Sequence, residues 1–193
     1  MTAVLAVLLA AAAGPPVATQ ASPAADFVDV TMALCYGVAT GVVKFDGSLE
    51  GDAKVLTDRK VASGLRQGTM ERLGRQGLGF VSQSIIGERV SGEDAIVLAV
   101  GGKMEGCRTM LLSKTVDGHE TKVAKILVAA GWKEAPANDA HAAAVNRRMF
   151  IRRDAKGQPF LVNMFTGALA QSEFRVMTTV NAIPPGVELP QGF

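Results

Sequence analysis

Ala95-Ile-Val-Leu-Ala-Val100 constrains this chain more than any other stretch. It is apolar on both faces of a strand, so it belongs in the middle of a sheet and not at its edge. Gly101-Gly102 then turns the chain into Cys107-Arg-Thr-Met-Leu-Leu112, a second short strand. A helix follows. Val123, Ile126, Leu127 and Ala130 recur at i, i+3, i+4 and i+7 and form one apolar stripe. Asp117 or Thr115 is placed to cap its start, and Gly131 to end it in a left-handed conformation. Trp132, the one tryptophan, then packs back on the last turn.

Upstream, Asp26 to Val43 reads as a buried helix with Phe27, Val30, Leu34 and Val38 on one stripe. Cys35 lies in its middle. The stretch 50–68 is polar and reads as a surface helix or an ordered loop. A short helix begins near Thr69, and a strand with irregular ends lies between Gly79 and Val90.

Downstream the pattern turns to β. Arg148 to Arg153 and Pro159 to Phe165 flank a turn containing Gly157, which is a hairpin signature. Glu173 to Val180 alternates, with Phe174, Val176, Thr178 and Val180 on one face. The tail 183–193 carries three prolines and reads as an extended arm. Helices first and strands last give an α+β fold. The expectation is an antiparallel sheet of about five or six strands, with the helices packed on one face and one disulfide.

The N-terminus sets the compartment. Thr2 to Ala13 is almost wholly apolar, and Gly14-Pro15-Pro16 breaks it. A membrane-spanning helix needs about 20 such residues, so the run is too short. Small residues at Thr19 and Ala21 fit a secretory signal peptide over 1–21, with the mature chain starting at Ser22. No Lys or Arg precedes the apolar run, and a retained anchor is the competing reading. The rest, 22–193, is one domain of ordinary length. The expected location is periplasmic or secreted, with no stable membrane span once the signal is removed.

Export decides how the cysteines read. Two cysteines in an oxidising compartment point to a Cys35–Cys107 disulfide. Such a bond brings the first helix onto the sheet, because it needs Cα atoms within about 7 Å.

Chemistry is sparse. The chain has two histidines, His119 and His141, and no hydrolase, zinc-protease or phosphate-loop motif. No metal ligand set and no cofactor is expected. A net charge of +2 gives no case for a nucleic-acid partner. The densest charge, Arg147, Arg148, Arg152, Arg153 and Lys156, lies near one hairpin. Of these, Arg148, Arg152, Arg153 and Lys156 could hold an anion or an acidic partner, or simply guard a strand. The favoured reading is a non-catalytic exported protein that binds an envelope component or a protein partner through its sheet. The alternative is a small secreted hydrolase or transferase using Cys35 or a carboxylate.

Overall fold

A computed structural model describes residues 22–77, 85–101, 106–116, 118–136, 146–167 and 172–193. The signal-peptide expectation for 1–21, His141 and Asp117 lie outside the described residues. No helix among those described is long and apolar enough to cross a membrane.

The first helix is continuous but changes pitch. α1 (Pro23–Val30) runs into a π-helical turn (Thr31–Tyr36) and then α2 (Gly37–Ala39). Ser22 caps it by accepting the Ala25 N–H at 3.2 Å, and Pro23 occupies the first turn, where its missing N–H costs nothing. The chain then doubles back. A Cβ on Gly37 would lie 2.4 Å from the Val43 side chain, so only glycine lets that segment pack here. Two short helices come next, α3 (Leu49–Thr57) and α4 (Gln67–Arg75). The last, α5 (His119–Ala129), ends where expected: Gly131 has φ 85° and Trp132 folds back to give its N–H to Leu127. Thr115 does not cap α5; its hydroxyl bonds the His119 ring instead.

The sheet is a single antiparallel one of eight strands, in the order β1-β2-β3-β4-β8-β7-β6-β5. The strands are β1 (Ala62–Ser63), β2 (Ile85–Ser91), β3 (Asp94–Val100), β4 (Cys107–Leu112), β5 (Lys133–Ala135), β6 (Arg147–Arg153), β7 (Pro159–Thr166) and β8 (Phe174–Ala182). The expected five or six is therefore too low. The two edge strands account for the difference, since pieces of two and three residues are too short to show a period of two.

Helices on one face is also corrected. Along β3, Ile96, Leu98 and Val100 join the core under α1 and α5, with Phe27, Leu34, Val123 and Leu127. Ala95 and Val97 point the other way and join Leu73 of α4, with Met110 and Leu112. The helices are thus shared between faces, and β3 is buried along its whole length. Phe174 is a smaller correction. A register shift at Leu111/Leu112 sends it to the α4 side, away from Val176, Thr178 and Val180.

The disulfide forms as expected, with Cα atoms of Cys35 and Cys107 5.0 Å apart. It fixes the π turn to the start of β4. Beside it runs a chain of three buried hydroxyls. Thr178 lies 2.7 Å from Thr109, and Thr109 lies 2.6 Å from Thr31. Thr31 gives its own proton to the Phe27 carbonyl at 2.8 Å. One direction of donation, from Thr178 to Thr109 to Thr31 to Phe27, satisfies every member, which is what burial requires.

Candidate functional site

The sequence placed four cations on one hairpin. The register divides them. Arg148 and Arg152 share the first, helix-bearing face with Phe150, while Arg153 is turned to the second. Lys156 stands exposed in the turn between β6 and β7.

The first pair is engaged within the fold. Arg148 meets Glu134 through a two-pronged contact, Nε to Oε1 at 2.6 Å and Nη2 to Oε2 at 2.7 Å. The hydrogen bonds from Arg148 hold the Glu134 carboxyl below the usual carboxylate range. Arg152 lies 4.7 Å from the Tyr36 ring centre and 4.8 Å from that of Trp132. It also donates to the Ala130 carbonyl at 3.1 Å, a cation at a helix C-terminus where the dipole favours one. Trp132 itself is buried.

The second pair lines a hollow. Arg153, Lys156, Pro159, Pro185, Leu189 and Phe193 are among the residues around a space of about 700 Å³. It lies between the β6–β7 turn and the arm 183–193. A smaller hollow of about 220 Å³ adjoins it, sharing Arg153 and Phe193 and adding Lys133 and Ile151. The turn is shaped by Asp154, whose Oδ1 accepts the N–H groups of Lys156 and Gln158, both at 2.9 Å. The arm is held by Gln158, which donates to the Ile183 carbonyl at 2.8 Å, and by packing of Leu189 and Phe193 on Ile151 and Ile183.

The charges around the hollow touch backbone oxygens. Arg153 donates to the carbonyls of Gly157 and Phe193, and Lys133 donates to that of Gly192. None of Lys133, Arg153 and Lys156 forms an ion pair with a described residue. A carbonyl is a weaker partner for a cation than a carboxylate or a phosphate. The site can therefore take an oxyanion by exchanging acceptors, with no buried ion pair to break.

Other chemistry finds no such assembly. Cys35 has no thiol while the disulfide stands. His119 is buried beside Thr115. Among the described residues no three His, Cys, Asp or Glu side chains gather as metal ligands. The sequence reading counted Arg147 among the hairpin's charges but did not join it to Asn163, Thr179 and Arg108, which form a further row with it on the second face. Arg147 gives Nε and Nη2 to Asn163 Oδ1 at 3.0 and 2.5 Å, and Asn163 Nδ2 lies 3.5 Å from the Thr179 hydroxyl. Arg108 stands opposite Thr179 in the ladder. The available signal was alternation: if Cys107 faces the first helix, Arg108 must face away from it.

Comparisons with protein-family models, curated proteins and solved structures find no match to this chain.

Proposed function

We propose that this is an exported, non-catalytic binding protein, periplasmic or secreted, which engages an anionic envelope component or partner through the second face of its sheet. One observation carries the reading. Arg153 and Lys156 border a hollow of about 700 Å³ and pair with no Asp or Glu side chain among the described residues. That volume falls in the range of ordinary ligand sites. Proline, leucine and phenylalanine side chains supply the apolar lining, and the cations supply orientation. The Cys35–Cys107 bond and the short apolar run before Ser22 support export.

Two measurements test this. Fractionation of the producing cells should place the chain outside the cytoplasm, starting at Ser22; a reduced cytoplasmic chain retaining Met1 would defeat export. Titration with polygalacturonate, a polymer of uronic acids, should shift the backbone resonances of Arg153 and Lys156. Arg153→Ala with Lys156→Ala should abolish the shift. Equal binding by the variant would remove the hollow from the function.

A further inference from the structure

Arginines elsewhere in the described fold, exposed or buried, have partners. Arg66 meets Glu88, Arg72 meets Glu173, Arg89 meets Asp29 and Arg148 meets Glu134. Arg59, Arg152 and Arg175 reach backbone carbonyls. Arg108 differs. It is half-buried in β4, near the middle of the sheet, and makes no hydrogen bond, ion pair or ring contact to a described residue. Arg147 has no carboxylate either; its acceptor is the Asn163 amide oxygen, and the Phe165 ring lies 5.9 Å from its guanidinium carbon.

These groups form one strip. Read across the ladder, Met149 faces Asn163, Asn163 faces Thr179, Thr179 faces Arg108 and Arg108 faces Ala99. All lie on the second face. The hydrogen-bonding capacity left over is one-sided. Asn163 Oδ1 is taken by Arg147, while the Arg108 guanidinium, the Asn163 amide N–H and the Thr179 hydroxyl still have protons to give. A strip of donors with its acceptor occupied selects a ligand rich in acceptors and negative charge.

The surroundings narrow the occupant. On one side α4 packs over Ala95, Val97, Met110 and Leu112. On the other the arm packs over Ile151, Met149 and Leu161. A helix stands about 10 Å proud of the surface it covers. A flat bilayer cannot settle on a floor between two such walls, but a single extended chain can. Met177, Phe165, Met149 and Leu161 rim the floor, and methionine adapts to varied apolar partners. Free phosphate would use none of that rim. Arg108 and Arg147 stand three strands apart, about 14 Å across the sheet, a span that about four residues of extended chain cover.

We infer that the strip formed by Arg147, Asn163, Thr179 and Arg108 binds an extended acidic peptide segment of a partner protein. Its carboxylates meet the two guanidinium groups, and its apolar side chains rest on Phe165 and Met177. This deepens the reading of the second face as a binding surface, but at a place separate from the Arg153–Lys156 hollow.

The test uses the full chain with its disulfide intact and two fluorescent probes, octaglutamate and an octapeptide of alternating glutamate and leucine. Anisotropy should report binding of both, with the mixed peptide tighter. Arg108→Gln and Arg147→Gln should each weaken it about ten-fold or more, the worth of a charge-assisted hydrogen bond. Arg108→Lys should restore part of the loss. Arg108 bonds no described residue, so Arg108→Gln should keep its melting temperature and decide the matter should Arg147→Gln unfold. Arg153→Gln with Lys156→Gln, which removes the charges of the hollow, should still bind the mixed peptide and should still lose it when Arg108→Gln is added. Loss of binding from Arg153→Gln with Lys156→Gln and not from Arg108→Gln would overturn the strip and leave the hollow standing. No peptide binding by the unaltered chain, or binding of anionic vesicles instead, would also overturn it.

Discussion

The two faces of the sheet are closed in different ways. The first lies under a continuous rod of helix, bonded through Cys35–Cys107, bedded on Phe27, Val30 and Leu34, and aligned by the chain of Thr31, Thr109 and Thr178. The second has two separate apolar patches, one under α4 and one under the arm, with a polar strip between them. The three buried hydroxyls of the first face are matched to one another. On the second, the half-buried Arg108 has no partner among the described residues. The proposed binding role of the second face rests on this contrast.

The largest effect should come from the disulfide. Its loop of 72 residues corresponds to about 4 kcal/mol of denatured-state entropy in the chain-closure model. Replacing both cysteines by alanine should lower the melting temperature by roughly 10 °C in a chain of this size. Equal melting with and without reductant would break the comparison, because the helix would then hold the first face without its bond.

The hydroxyl chain sharpens the same point. Thr109→Val removes the middle link and leaves the Thr178 hydroxyl only its longer, 3.3 Å contact to Thr31, which should cost about 1–3 kcal/mol. Thr31→Val, Thr109→Val and Thr178→Val together should cost less than Thr109→Val alone, since no polar group is then left unpaired. Denaturant titration of the single and triple variants checks the order. Additive losses would show three independent hydroxyls and no chain.

On the second face the test is acid. Burial raises the pKa of Glu88, but the Arg66 N–H, the Thr69 hydroxyl and the Arg66 guanidinium outweigh it, and the net shift is downward. These contacts seat the start of α4, where a carboxylate also suits the helix dipole. A pKa depressed on folding stabilises above the unfolded value, about 4.3, and that stabilisation fades as pH falls through the folded value. Melting followed from pH 6 to pH 3 should therefore show α4 loosening before the first face. Glu88→Gln should lose stability at pH 6 by about 1–2 kcal/mol and much less at pH 3. The same acid profile in both proteins would rule Glu88 out as the seat of α4.

Much of the first face was legible in the sequence, because its signals are strong ones. Two cysteines allow one pairing, and the stripe of Phe27, Val30 and Leu34 has helical spacing. Ala95 to Val100 announced a central strand. The same stretch also held the correction: a strand apolar on both faces needs cover on both, which helices on one face cannot give. Leu73 supplies it from a helix that is polar almost everywhere else. The threonine chain was not legible, since hydroxyl residues are common in strands and only the register brings Thr109 opposite Thr178. The arginines were visible as charge, but their division between faces depends on one residue of register. Arg148 and Arg152, read as open to an anion or as guards of a strand, are caught by Glu134 and by two rings.

The smallest effect is the sharpest test. Arg108 holds a cation half-buried with no partner among the described residues, so its charge is partly desolvated and no described residue offsets that. Arg108→Met keeps the length and the apolar stem and removes the charge. If the strip exists for a partner, this variant should be slightly more stable than the natural chain, by about 0.5 kcal/mol, because sites kept for binding are often poorer for stability than they could be. The matching change on the first face, Arg152→Met, should go the other way. It gives up two ring contacts and the bond to the Ala130 carbonyl, and should cost about 1–2 kcal/mol. Opposite signs for two arginines on opposite faces are what separates a residue that serves the fold from one that serves a ligand. A clear loss of stability in Arg108→Met would mean that the fold itself uses Arg108, and the second face would then be as closed as the first.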